Sequence, residues 1–319
     1  MAGHRVSIAE AWASMRSWAI VYSVDGRSRL SAKTDPDTSF IFTDTQGRSH
    51  SRLGATSMEE YLRCPRRWHY KPRFEPIGLP APWTRIGTAI HAGLATFYRA
   101  HAVEGAHGPL LPEQRDPRVV ALEVLASIWA ENPELELAAA EKVVSSSLVA
   151  AMAVPIPGHI VAVEAPAGDC TPDLVVVGLK GGLEVWDHKW RYRLDDQWAD
   201  KELRKTISLH QLWHNAMRVQ DTTKEPVVAI GKVLISFLPR TKARPFRHEI
   251  SQARLDGFRQ SYQVHRARAI EDHQRFLNLG ERPPQNFMSC DDFGGCPYHT
   301  LCHSLGGDES QAGSFYTAK

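Results

Sequence analysis

Polar and apolar positions along the chain change their rhythm near residue 155. Before that point the spacing predicts helices at 7–22, 85–101, 116–131 and 134–153, interrupted by short strands with turns over 36–53. "TSMEEYLRCPRRWHYK" predicts a further helix, with Ser57 as N-cap and Glu60 three residues on as a capping box, ended or kinked at Pro65. After it come three β-rich runs, "GHIVAVEA" (158–165), "DLVVVGL" (173–179) and "GLEVWDHKW" (182–190), separated by Gly168-Asp169 and Gly181-Gly182. A long helix at about 196–219 follows, then the strand "VVAIGKVLISFLP", a shorter strand "PFRHEI", and an amphipathic helix over 252–278 with Leu255, Phe258 and Tyr262 at helical spacing. The middle of the chain therefore reads helix, three strands, helix, strand, a mixed α/β pattern. The polar, Gly/Ser-rich stretch after 304 predicts a disordered tail.

Composition narrows the class without naming a function. The chain has 319 residues, 43% hydrophobic and 23% charged, ordinary values for a globular protein. No run approaches the roughly 18 apolar residues of a membrane span, and the N-terminus lacks an apolar signal core, so the expectation is a cytoplasmic protein. A formal charge of +2 makes any nucleic-acid contact local rather than global. Cys64 and Cys170 stand alone, whereas Cys290, Cys296 and Cys302 cluster, which in a reducing compartment favours metal or redox chemistry over disulfides.

Candidate chemistry centres on "WDHKW". Alternation along a strand puts Asp187 and Lys189 on one face, with Trp186 and His188 on the other. The pair is either a structural ion pair on an exposed face or the floor of a site. Asp173 opens the preceding strand, and Glu164 closes the one before it. Three carboxylates on successive strand ends with a lysine form a hard oxygen donor set suited to Mg²⁺ or Mn²⁺.

His91 in "GTAIH", Glu164, Asp173, Asp187 with Lys189, and Gln211 in "HQLWHNAM" occur in that order, and the ordered set resembles the PD-(D/E)XK nuclease superfamily, in its RecB-like exonuclease branch. The resemblance implies a restriction-endonuclease-like core over 54–303, with 1–53 an added N-terminal segment of helix and strands. It also implies that His91, Asp173, Asp187 and the carbonyl of His188 hold Mg²⁺ or Mn²⁺, and that Lys189 is the catalytic lysine. Glu164 corresponds to a strand glutamate. Gln211 begins a glutamine–tyrosine motif whose tyrosine position is filled by Asn215. Some relatives of this kind carry a [4Fe-4S] cluster with one cysteine ahead of the core and three behind it. Cys64, Cys290, Cys296 and Cys302 fit that arrangement, closing the C-terminal segment onto the domain. Zinc is the rival, because His299 and His303 interleave with the cysteines. Cys170 falls outside the pattern.

"RCPRRWHYKPRF" offers Arg63, Arg66, Arg67 and Lys71 either as phosphate contacts or as a solvated charged face, with Trp68, Tyr70 and Phe74 able to stack on unpaired bases but expected rather to face the core. "PRTKARPFRH" adds Arg240, Lys242, Arg244 and Arg247. Together these features lead to the expectation of a divalent-metal DNA exonuclease acting on single-stranded or unwound ends, with partners in recombination, repair or CRISPR adaptation. An inactive DNA-binding or assembly subunit and a zinc-stabilised endonuclease are the alternatives.

Overall fold

The computed structural model of the chain describes residues 41–43, 49–76, 82–102, 115–129, 137–193, 197, 199–201, 210–287, 290, 296–307 and 309–318. The helix expected at 7–22 lies outside the described residues. The first elements are strands β1 (Ile41–Thr43) and β2 (Ser49–Ser51), helices α1 (Ala55–Arg63) and α2 (Pro65–Tyr70), and strand β3 (Phe74–Pro76). Helices α3 (Pro82–Ala100), α4 (Pro117–Trp129) and α5 (Leu137–Met152) come next. Strands β4 (His159–Val163), β5 (Leu174–Val177) and β6 (Leu183–Arg193) lead to α6 (His210–Thr223). The chain continues through β7 (Val227–Leu238), β8 (Lys242–Glu249) and α7 (Gln252–Leu279) to a final strand β9 (Tyr316–Ala318). Among the described residues no helix is long and apolar enough to cross a membrane.

The described residues divide into two compact units, 82–255 and 41–76 together with 256–318. In the first, five strands form one sheet in the order β4-β5-β6-β7-β8. Only the β6–β7 pair is parallel, because α6 carries the chain back between them. This is the mixed α/β core expected from the sequence, extended by β8.

Alternation along β6 sends Trp186 and Trp190 into a core shared with Ile90, Leu94, Leu125 and Leu148 of α3, α4 and α5. Two glycines set the close approaches in this core. A Cβ at Gly231 would meet the Trp186 indole at 2.3 Å, so the glycine lets the ring lie flat across β7. At Gly93 a Cβ would meet Pro117 O at 2.8 Å and Leu148 Cδ2 at 2.9 Å, so the small-residue face of α3 is where α4 and α5 close in. The opposite face of the sheet receives α6.

In the second unit α1 stops at Arg63, Cys64 is extended, and Pro65 starts α2, as its missing N–H allows. The capping box is not formed: α1 begins at Ala55 with Gly54 as N-cap and no side-chain cap, leaving Ser57 inside the first turn. The expected disordered tail is likewise corrected. A 3-10 turn spans Glu309–Ser314, and β9 pairs antiparallel with β3. Buried Ala312 and Tyr316 pack with Tyr70, Phe74 and Tyr298, so a few apolar anchors override the polar composition.

Candidate active site

Strand register aligns the three carboxylates. Val163 pairs with Leu174 and Leu174 with Trp186 in antiparallel ladders. One step further sets Glu164 opposite Asp173 and Asp173 opposite Asp187. The Glu164 N–H donates to Asp173 O at 3.0 Å, continuing the ladder by one bond. Glu164 is nonetheless left-handed, with φ 46°, a conformation that non-glycine residues hold at a cost of about 1–3 kcal/mol and that clusters at functional sites.

Asp187 is buried, and Lys189 Nζ donates to its Oδ1 at 3.0 Å. The same ammonium donates to Gln211 Oε1 at 3.1 Å, so α6 fixes the lysine from above the sheet. Burial and the neighbouring Asp173 push the Asp187 carboxyl above its ordinary range, with Lys189 opposing. Asp173 behaves in the opposite way. Burial works against its charge, yet hydrogen bonds from His188 and the imidazoles of His91 and His188 prevail and hold it at about 2. Its Oδ2 accepts the His188 N–H at 2.7 Å and lies 3.5 Å from His91 Nδ1. The His188 imidazole bridges outward from this carboxylate, with Nδ1 3.5 Å from Asp173 Oδ2 and Nε2 3.0 Å from Tyr98 Oη.

The structure thus brings Glu164, Asp173, Asp187, Lys189, Gln211, His91 and His188 into one neighbourhood. Asn215 is buried on α6. Sequence reasoning missed Tyr98 and Arg99, although they follow His91 by seven and eight residues and so share its helix face. Arg99 Nη2 donates to Glu164 Oε2 at 3.1 Å. Lys232 was also missed: it is buried at the register position beside Asp187, and it is the one charged residue of its strand. On α6, Arg218 and His214 meet Asp169 in the loop that leads to Asp173.

Among the described residues no three His, Cys, Asp or Glu side chains form a ready-made metal cage. Magnesium does not need one, since it commonly takes one or two carboxylates and keeps waters. Asp187 Oδ2 is buried with no hydrogen-bond partner among the described residues, and an orphaned carboxylate oxygen beside Asp173 fits an oxygen-seeking divalent cation.

The cysteine site lies in the second unit. Burial raises the Cys302 thiol to about 11, with Arg66 opposing and the thiols of Cys296, Cys64 and Cys290 adding to the rise. The Cys296 N–H donates to Cys290 O at 2.7 Å, but among the described residues the cysteines form no group of three metal-ligating side chains. None of the five cysteines is bridged. Cys290 Sγ lies 3.5 Å from His303 Nε2, and His303 stacks on His299 at 4.3 Å.

The basic segment is largely occupied within the protein. Arg67 and Lys71 both pair with Glu60, at 2.6 and 3.3 Å. Arg66 Nε donates to Pro283 O at 3.1 Å, and Arg63 lies 3.9 Å from Glu59. Trp68, Tyr70 and Phe74 are buried, as expected. Arg247 clamps buried Glu184 of β6, and Arg244 pairs with Asp200, while Arg240 is exposed.

Residues 52–303, most of the chain, match the family model described as the PD-(D/E)XK nuclease superfamily. No curated protein matches the chain.

Proposed function

The chain belongs to the PD-(D/E)XK nuclease superfamily, and from that premise we propose that it is a metal-dependent deoxyribonuclease acting on single-stranded or unwound DNA ends. The observation that carries the reading is the row of Glu164, Asp173 and Asp187 across three adjacent strand ends, with Lys189 held by both Asp187 and Gln211. Nucleases of this superfamily commonly use Mg²⁺ or Mn²⁺, and a bound ion of this kind would supply charge neutralisation at the scissile phosphate and an acidified water. Asp173 and Asp187 would hold it, with His91 and the His188 carbonyl completing the set. Lys189, an ammonium fixed at two points, orients the attacking water and meets charge that develops on the phosphate oxygens. Gln211 keeps that ammonium in place. The order of the motifs supports the exonuclease branch, and recombination, repair or CRISPR adaptation as the setting.

The distribution of cysteines, one ahead of the core and three behind it, all in the second unit, supports a [4Fe-4S] cluster held by Cys64, Cys290, Cys296 and Cys302. Zinc is the second reading at that position, resting on the contact between Cys290 and His303. Lys71 and Arg63 of the basic segment, with side chains 44% and 29% exposed, are candidates there for DNA phosphates. The deciding experiment incubates purified protein with end-labelled single- and double-stranded DNA and with RNA, in Mg²⁺, Mn²⁺ or EDTA. Metal-dependent loss of the DNA end label supports the reading. Binding without cleavage in every metal would replace it with that of an inactive DNA-binding subunit.

A further inference from the structure

Glu164 stands in the carboxylate row, but its carboxylate is engaged by a cation of α3. Its Oε2 accepts from Arg99 Nη2 at 3.1 Å, in a pair whose side chains are 36% and 18% exposed. Arg99 lies in the last turn of α3, where the helix dipole favours a cation. The pair is incomplete, however: Arg99 Nε is buried and has no partner among the described residues. An arginine with a spare buried donor is poorly satisfied by one carboxylate oxygen and would be better satisfied by an anion that accepts two of its N–H groups. Glu164 also carries left-handed backbone at this position, so the chain keeps a strained residue where an ordinary turn residue would be easier.

We propose that Arg99 is a positioning residue that holds Glu164 in reserve as a third metal carboxylate, and that a phosphate of bound nucleic acid releases it by competing for the guanidinium. This inference rests on the nuclease reading of the site. In the free protein the ion would then have Asp173 and Asp187, with the Arg99 charge opposing its entry. Once a backbone phosphate takes the guanidinium, the Glu164 carboxylate is released to the ion, and metal and substrate binding reinforce each other. No bond is made or broken in the exchange. One anionic partner of Arg99 replaces another.

The test is Mn²⁺ binding without turnover, measured by calorimetry or electron paramagnetic resonance, in the wild type, Arg99→Gln, Glu164→Gln and the double variant. Free Arg99→Gln protein should bind Mn²⁺ more tightly, on the order of 10-fold, and Glu164→Gln in the same chain should erase that gain. Adding a short phosphorothioate oligonucleotide should tighten Mn²⁺ binding in the wild type and leave Arg99→Gln little changed. Equal or weaker Mn²⁺ binding by Arg99→Gln overturns the proposal, as does a gain that survives in the double variant. Mn²⁺ binding that is indifferent to Asp187→Asn would instead overturn the metal site itself, and with it the nuclease reading.

Discussion

Asp173 takes the place of a strand at His188. β5 begins at Leu174, opposite Trp186, so beyond that pair β6 has no β5 backbone to bond with. The Asp173 Oδ2 accepts the His188 N–H at 2.7 Å instead. One carboxylate therefore ends the ladder and faces the proposed metal site. These two duties can be separated. Asp173→Asn retains an oxygen acceptor and should unfold within about 1 kcal/mol of the wild type, while cleavage falls by about 10² or more because the charge is gone. Asp173→Ala leaves a part-buried N–H without its partner and should lose a further 1–3 kcal/mol, roughly, by urea denaturation. Equal stability losses in the two variants would count against the structural role, and full cleavage by Asp173→Asn against the catalytic one.

Lys189 and Gln211 should show graded effects. Lys189→Ala removes the ammonium that faces the reacting phosphate and should lower the rate about 10²-fold or more, leaving DNA binding nearly intact. Gln211→Ala only loosens that ammonium, so a loss nearer 10-fold is expected, with most of it in kcat. Single-turnover cleavage of end-labelled DNA measures both. A Gln211 effect as large as that of Lys189 would make the glutamine more than a support.

The αβββαβ order and the Asp187–Lys189 pair were legible because strand alternation is local, and each run announces its own faces. Gln211 and His91 were reached only through the ordered motif set. Tyr98 and Arg99 were within reach, since helical spacing from His91 marks them, yet their partners His188 and Glu164 come from strands far along the chain. Ser57 misled because a capping signature competes with alternative starts, and Gly54 supplied an extended residue three positions earlier. The tail misled for a different reason. Its order depends on Tyr316 and Ala312 meeting Tyr70 and Tyr298, contacts that composition does not contain. The ion pairs of Arg67 and Lys71 with Glu60 were similarly invisible, since a basic run in a sequence does not display its acidic partner.

The cysteines give a prediction that needs no substrate. Anaerobically purified protein should be brown, and Cys64→Ala should lose the colour and unfold or aggregate more readily, because a bound cluster contributes its binding free energy to folding. Cys170 sits in the turn after β4, where its thiol faces Ala167 O, and Cys170→Ala should keep the colour. Iron and zinc analysis separates the two metals. Stoichiometric zinc in colourless protein would select the zinc reading, and metal-free protein with an unaffected Cys64→Ala variant would remove both.

Buried neutral histidines should make the protein acid-sensitive. Arg73 Nη1 lies 2.8 Å from His69 Nε2, and since a guanidinium can only donate, that nitrogen must be the unprotonated acceptor. His69 is fully buried, and burial together with Arg73 and Arg52 holds it down to about 3. His273 is held at about 4 by burial, Arg52 and Arg73, and His214 at about 4 by burial, against the pull of Asp169. The unfolded chain, with ordinary histidines near 6.5, takes up protons first as pH falls. The stabilising effect of keeping each ring neutral is therefore complete above about pH 6.5 and drains away toward pH 4, at about 1.4 kcal/mol per pH unit for each histidine. Urea denaturation across that window should show the slope. His69→Gln should be less stable at neutral pH and show a shallower decline, because one of the titrating rings has gone. A decline of unchanged steepness in His69→Gln would mean that the carboxylates alone drive the acid transition.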